Sequence, residues 1–322
     1  MQAGHYLDSF LAPLAPWLSR PDITDIWINR PQEIWFETLG GEISREDIAG
    51  FDERTLERLA RQIAAFASQG ISRAEPLLAA TLPDGSRIQI ALPPATRGHA
   101  AFAIRRHVSR ELGLSDWHDA GAFDDLAGGA VELGRERSFS RVGARDASGV
   151  LAEAVRERRN ILVSGGTSTG KTTFLNALLA EIPQRERLVL IEDAAELHLQ
   201  HDNAVGLIAA RGQLSEASVG AEDLLIAALR MRPDRIILGE LRGSEAFTFL
   251  RAVNTGHPGS MTTIHADTPH RAIEQLALLV LQAGSRLSRD DVRHYVRESI
   301  DVFVQLERRD GRRRVTELLV AD

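Results

Sequence analysis

One nonapeptide constrains this chain more than any other stretch: Gly165-Gly166-Thr167-Ser168-Thr169-Gly170-Lys171-Thr172-Thr173 fits the phosphate-binding pattern G-x-x-x-x-G-K-[ST]. Lys171 is the only lysine in 322 residues, and the other 37 lysine-or-arginine positions are all arginine. A compact ammonium is thus kept where a point charge must fit against phosphate inside a tight backbone loop. So short a pattern also arises by chance, and its surroundings have to decide. Asn160 to Ser164 is a short apolar run suited to a buried parallel strand, and Thr172 to Glu181 reads as a helix with Phe174, Leu175, Leu178 and Leu179 on one face. Strand, loop and helix in that order are the setting the motif requires. Gly165, Gly166 and Gly170 would let successive N–H groups approach β- and γ-phosphates, the helix N-terminus would add partial positive charge, and Thr172 would ligate magnesium.

Composition narrows the remaining choices. A chain with 43% hydrophobic and 26% charged residues can bury a sizeable core and is long enough for two domains. Without cysteine there is neither a disulfide nor a four-cysteine zinc element, and a reducing compartment is expected. A net charge of -7 and a pI near 5.8 argue against a surface that grips nucleic acid throughout, leaving room only for a local basic groove. No run approaches the roughly 18 apolar residues of a membrane span, and Met1 to Leu18 lacks a basic leader region, so a cytoplasmic protein is expected.

Along the chain, residues 1–107 read as a small α+β domain: a helix around Tyr6 to Leu18, strands at Ile23 to Ile28 and Glu33 to Glu37, and a helix from Glu53 to Phe66. A hairpin turning at Pro83-Asp84-Gly85 and a strand over Ala100 to Arg106 complete it. Residues 108–147, rich in Gly, Ala, Asp and Arg, read as an interdomain linker with little structure of its own. From 148 to 322, helices alternate with short apolar strands, which predicts a doubly wound, mainly parallel sheet with ligands at the strands' carboxyl ends.

Three further segments of this C-terminal domain end predicted strands in polar residues. Leu188 to Ile191 runs into Glu192, Asp193 and Glu196, which serve either as catalytic carboxylates or as caps and solvated loop charges. Arg235 to Leu238 ends in Gly239-Glu240 and resembles a Walker B segment in which glycine stands where an aspartate commonly holds magnesium through water. The outer carboxylate must then come from Glu192, Asp193 or Glu196, leaving Glu240 to orient or deprotonate water. His257 and His265 bracket the strand Ser260 to Ile264; His257 is as readily structural, whereas His265 could hydrogen-bond a γ-phosphate and report its loss. The pair His198 and His201 lacks a third ligand nearby and is expected in a solvated loop.

In this order the four segments resemble the signature set of the secretion-superfamily traffic ATPases of type II secretion, type IV pili and type IV secretion. The N-terminal stretches Ile23 to Pro31, Leu82 to Ile90, Pro93-Pro94-Ala95 and Ile104-Arg105-Arg106 are similar to the type IV secretion branch. The resemblance implies a RecA-like P-loop ATPase domain behind the smaller α+β domain, and a homo-hexameric ring that couples ATP hydrolysis with Mg2+ to swinging of one domain against the other. It implies that Gly165 to Thr173 bind phosphate and magnesium, and that Glu196 and Glu240 are the acidic catalytic residues with His265 as sensor; the residues themselves add Glu192 to the catalytic set and Thr172 and Asp193 as holders of magnesium, partly through water. It further implies that Arg87 and Arg105 reach the nucleotide. The alternative for Arg87 is a surface strand residue paired with Asp84, and Arg230 and Arg232 either act between subunits or complement a helix dipole.

Expected partners are other copies of the chain, inner-membrane secretion-channel proteins and other secretion ATPases, with membrane contact only through them and no direct sequence-specific nucleic-acid binding. A pilus retraction or assembly motor is the near alternative. A ring helicase is disfavoured by the acidic pI and by only two tyrosines with no aromatic-basic interleaving. A nucleotide-responsive scaffold without turnover is opposed by the paired Glu196 and Glu240.

Overall fold

A computed structural model describes residues 7, 9–39, 41–106, 112–131, 137–209 and 219–322, which fall into two compact units. The first spans the N-terminal hundred residues. It holds a one-turn helix α1 (Ala15–Leu18), strands β1 (Ile23–Ile28), β2 (Glu33–Thr38) and β3 (Ile43–Asp47), helix α2 (Glu53–Phe66), and strands β4 (Leu77–Thr81), β5 (Arg87–Ala91) and β6 (Ala101–Arg105). The strands form an antiparallel sheet in the order β3-β2-β1-β6-β5-β4. Period-two alternation puts Ile26, Ile28, Ile34, Phe36, Ile88, Ile90, Phe102 and Ile104 into one core with Leu56, Leu59, Ala60 and Ile63 of α2. Asp52 caps α2 by accepting the Thr55 N–H at 2.7 Å. Arg87 and Arg105 are cross-strand partners, and Asp25 follows Arg105 in the same row. Tyr6, where the first expected helix would begin, lies outside the described residues.

The second unit carries helix α3 (Leu114–Asp119), strands β7 (Gly129–Val131) and β8 (Phe139–Arg141), helix α4 (Ala147–Arg156), strand β9 (Ile161–Gly165) and helix α5 (Lys171–Leu179). Strands β10 (Leu188–Glu192) and β11 (Ala204–Ile208), helix α6 (Ala221–Ala228), β12 (Arg235–Leu238), helix α7 (Glu245–Asn254) and β13 (Met261–Ile264) follow. Helices α8 (Pro269–Gln282) and α9 (Arg289–Ser299) and the hairpin β14 (Val302–Arg309) and β15 (Arg312–Ala321) close it. Strand order is β11-β10-β12-β13-β9-β14-β15-β8-β7, with the first six strands parallel and the rest antiparallel. Helices cover both faces: α6 to α9 pack on one core that includes Leu162, Val189 and Leu238, while α3, α4 and α5 pack on another with Ile161, Val163 and Leu190. This is the doubly wound α/β fold that the alternation predicts.

The stretch expected to be a linker is a correction. Its residues 107–111 and 132–136 lie outside the described set, but the remainder is built into the second unit. Leu114, Trp117, Phe123, Leu126 and Phe139 are buried. The Trp117 ring meets Phe174 of α5 edge-on, with centroids 4.9 Å apart, so this segment clamps the helix that follows the phosphate loop. Its few apolar residues are large and widely spaced, which hides the signal among Gly, Ala and charge. Among the described residues no helix is long and apolar enough to cross a membrane.

A buried ion cluster ties the sheet's lower end together. Arg235 is fully buried and donates to both carboxylate oxygens of Glu186 at 2.8 Å, with a third bond to the Val155 carbonyl at 2.7 Å. Arg158 adds a bond of 2.8 Å to Glu186. The Arg235 bonds, with Arg158 helping against the opposing effect of burial, lower the Glu186 pKa from 4.5 to about 2.

Two outcomes are expected in denaturant unfolding. Trp117→Ala should lower stability by about 3–5 kcal/mol through the lost aromatic packing, whereas a tether would give no change. Glu186→Gln should cost about 3–5 kcal/mol at neutral pH by leaving Arg235 buried without its counter-charge. Because the Glu186 pKa is depressed, the pair's contribution is complete above pH 4.5 and drains as pH falls toward 2, so wild type and Glu186→Gln should converge in that window. Parallel stability curves down to acid would refute the assignment.

Candidate active site

Strand β9 lies between β13 and β14, all five of its residues buried, and delivers the phosphate loop at its carboxyl end. Gly165 is required sterically: a Cβ there would meet Thr169 Oγ1 at 2.5 Å and the Leu306 carbonyl at 2.9 Å. Gly170 is required conformationally, with φ +92° at the N-cap of α5. Gly166 has neither need, since a Cβ would meet only Thr169 Cγ2 at 3.9 Å. Ser168 takes φ 60°, and the Thr169 hydroxyl closes the loop by donating to the Gly166 carbonyl at 2.9 Å. Lys171 is buried; its ammonium donates to the carbonyls of Gly165 and Gly166, both at 2.9 Å, and lies 3.2 Å from His265 Nδ1.

The ends of β10, β12 and β13 supply the rest. His265 follows β13, and its Nε2 lies 2.8 Å from Glu240 Oε1, at ion-pair distance though not aligned as a hydrogen bond. Burial lowers the His265 pKa, with Lys171 and Arg242 acting in the same sense and Glu240 opposing them. Glu240 Oε2 accepts both Nε, at 2.8 Å, and Nη2 of Arg242, whose Nη1 reaches Asp193 Oδ2 at 2.9 Å. Lys171, His265, Glu240, Arg242 and Asp193 thus form one continuous chain of alternating charge and imidazole.

Glu192 holds a different post. Its buried Oε2 accepts the N–H groups of Glu196 at 2.8 Å and Leu197 at 2.7 Å, fixing the loop that carries Glu196. Asn176 of α5 steadies the same loop, donating to the Glu196 carbonyl at 3.0 Å and accepting the His198 N–H at 2.9 Å. The glycine in the Walker B position also has a physical counterpart. The Gly239 N–H bonds the Ile191 carbonyl at 2.8 Å, and a Cβ on Gly239 would be in van der Waals contact with that carbonyl at 3.5 Å and with Glu192 Cγ at 3.6 Å, which places this position directly beside Glu192.

Other histidines take structural roles. His257 Nδ1 lies 3.3 Å from the Ala252 carbonyl. His201, expected in a solvated loop, is buried with Nε2 3.1 Å from the Ile182 carbonyl. The only signal for Arg242 in the sequence is its place two residues after Glu240.

For magnesium, the donors at hand are oxygens: the Thr172 hydroxyl on the first turn of α5 and the Asp193 carboxylate. Among the described residues no group of three or more His, Cys, Asp or Glu could hold a metal by itself. That suits an ion that takes one or two protein oxygens and completes its shell with phosphate and water.

Residues 136–320 match the family described as Type II/IV secretion system protein. The chain is 39% identical to the type IV secretion system protein VirB11 of Bartonella quintana, over 96% of this chain and 91% of that protein. It is 41% identical to the type IV secretion system protein PtlH homolog of Bordetella bronchiseptica, over 98% and 95% respectively. Among solved structures, the VirB11 ATPase from the Brucella suis type IV secretion system in complex with sulphate aligns at 34% identity and TM-score 0.50, covering 97% of this chain and 96% of that one. A phosphate loop on a doubly wound sheet, acidic and histidine-bearing strand ends beside it, and near-full-length kinship of this degree make the chain a member of the type II/IV secretion system protein family, an ATPase of its type IV secretion branch.

Proposed function

We propose that this secretion ATPase is a magnesium-dependent motor that works as a homo-hexameric ring at the cytoplasmic face of the inner membrane, driving DNA or protein transfer or pilus biogenesis. Its partners there are channel proteins and other secretion ATPases. The observation that carries the catalytic part is the convergence of Lys171, His265, Glu240 and Asp193 at adjacent carboxyl ends of one parallel sheet.

In this reading the Gly165 to Thr173 backbone and the Lys171 ammonium hold the β- and γ-phosphates, exchanging loop carbonyls for phosphate oxygens. Thr172, and Asp193 through water, hold magnesium, which when bound neutralises charge on the transferring phosphoryl group. Glu240 orients the attacking water and draws its proton through Oε1, the oxygen facing His265, while Arg242 holds Oε2. Glu196 is the second acidic residue, held in place by Glu192 and Asn176. His265 stands between Lys171 and Glu240 and registers the γ-phosphate. Arg87 and Arg105 are retained as nucleotide-binding residues.

Steady-state phosphate release from size-fractionated protein tests this. Lys171→Ala should abolish turnover and weaken nucleotide binding, whereas Glu240→Gln should bind ATP as wild type does and lose turnover by roughly a hundredfold or more. Normal hydrolysis by Glu240→Gln would remove Glu240 as the base. Turnover should be confined to the large-oligomer fraction and stop when magnesium is chelated; full activity in a monomer fraction would sink the ring.

A further inference from the structure

The hairpin of β14 and β15 brings an arginine onto the phosphate loop that neither the motif nor the carboxyl-end residues account for. Arg313 lies across Gly170 so closely that a Cβ at Gly170 would stand 2.8 Å from its Cδ and 3.0 Å from its Nε. Its Nη1 is 3.4 Å from Thr173 Oγ1, a long contact and the one side-chain hydrogen bond Arg313 makes among the described residues. It is half-buried, and Arg308 is its direct partner across the hairpin. Burial lowers its pKa, and Arg308 pushes the same way.

Apart from one long hydroxyl contact, the neighbouring influences are unfavourable to a guanidinium. The N-terminus of α5 presents the positive end of a helix dipole, Arg308 is a like charge, and the long Thr173 contact repays little of the lost hydration. A cation held in such surroundings is stabilised when an anion joins it. Sheet topology says which anion. Strand β9 has β13, β12 and β10, with His265, Glu240 and Asp193, on one flank, and β14 and β15 on the other. A triphosphate whose terminal phosphoryl faces Glu240 and His265 runs its inner phosphate toward the opposite flank, where Arg313 lies against Gly170 and Thr173.

We propose that Arg313 binds the α-phosphate of the nucleotide, its guanidinium laid over Gly170 beside the first turn of α5. The proposal rests on the phosphate-loop reading above and extends it to a residue from the C-terminal hairpin. Arg313 then distinguishes a nucleoside polyphosphate from a bare phosphate chain, because inorganic pyrophosphate fills the loop without needing an α-phosphate contact.

Calorimetric titration of ADP and of pyrophosphate into the full chain, as wild type, Arg313→Ala, Arg313→Lys and Lys171→Ala, tests it. Arg313→Ala should weaken ADP about ten- to a hundredfold, the range of a charge-assisted hydrogen bond, and leave pyrophosphate within about threefold. Arg313→Lys should restore only part of the ADP affinity, since an ammonium lacks the planar fork. The ligand-free melting temperature of Arg313→Ala should equal or exceed that of wild type. Unchanged ADP affinity in Arg313→Ala, alongside its loss in Lys171→Ala, would overturn the proposal while sparing the phosphate loop. Equal weakening of ADP and pyrophosphate, or a marked drop in ligand-free melting temperature, would make Arg313 a structural prop and overturn it too. Wild type binding neither ligand would overturn the phosphate-loop reading itself.

Discussion

The site depends on the register of one buried strand. Ile161 to Gly165 is paired on both sides in parallel, Ser164 opposite Ile264 of β13 and Gln305 of β14, so the chain has no freedom to leave the sheet except at Gly165. Parallel pairing sets every neighbouring strand running the same way, and the residues after β10, β12 and β13 emerge along the same edge as the phosphate loop. Gln305 reinforces that edge, accepting the Ser164 hydroxyl at 2.6 Å and donating to the Ala266 carbonyl at 3.2 Å. Shift the register and the phosphate loop no longer faces the carboxylates.

Charge at that edge is balanced internally. The Lys171 ammonium is taken up by loop carbonyls and an imidazole, and Glu240 is shared between His265 and Arg242. Such a network costs less than isolated buried charges would, because each ion has a partner of opposite sign or a dipole directed at it. In the proposed function, nucleotide would enter by exchanging one set of contacts for another, phosphate oxygens replacing the carbonyls on Lys171 and a metal competing with Arg242 for Asp193. Arg313 is the exception, a cation that meets a like charge, a helix N-terminus and one long hydroxyl contact, and that contrast separates it from the structural arginines. Arg235, more deeply buried than Arg313, is matched by both oxygens of Glu186.

What could be read from the chain was local. The phosphate loop announces itself because its function needs glycine at a positive φ and at a close approach, and lysine at a fixed step from both. The strands β9, β10, β12 and β13 are short buried runs flanked by polar ends, and the helix Glu53–Phe66 has a one-sided apolar stripe with a capping aspartate. These patterns have periods of two to four residues and survive without knowledge of the fold. The segment before β9 carries no local signal because Trp117 and Phe123 find their partner, Phe174, more than fifty residues away.

By itself, then, the sequence determined the class of the fold, the phosphate loop, and the acidic and histidine-bearing strand ends, since each is written in contiguous residues whose spacing matches backbone geometry. Tertiary structure alone decided which carboxylate does what: Glu192 braces the Glu196 loop, Asp193 meets Arg242, and Arg313 arrives at Gly170 from a hairpin more than a hundred residues later in the chain. The physical reason is that a charge's role is set by what lies within a few ångströms, and in a sheet ordered β10-β12-β13-β9-β14 those neighbours come from strands far apart in the chain.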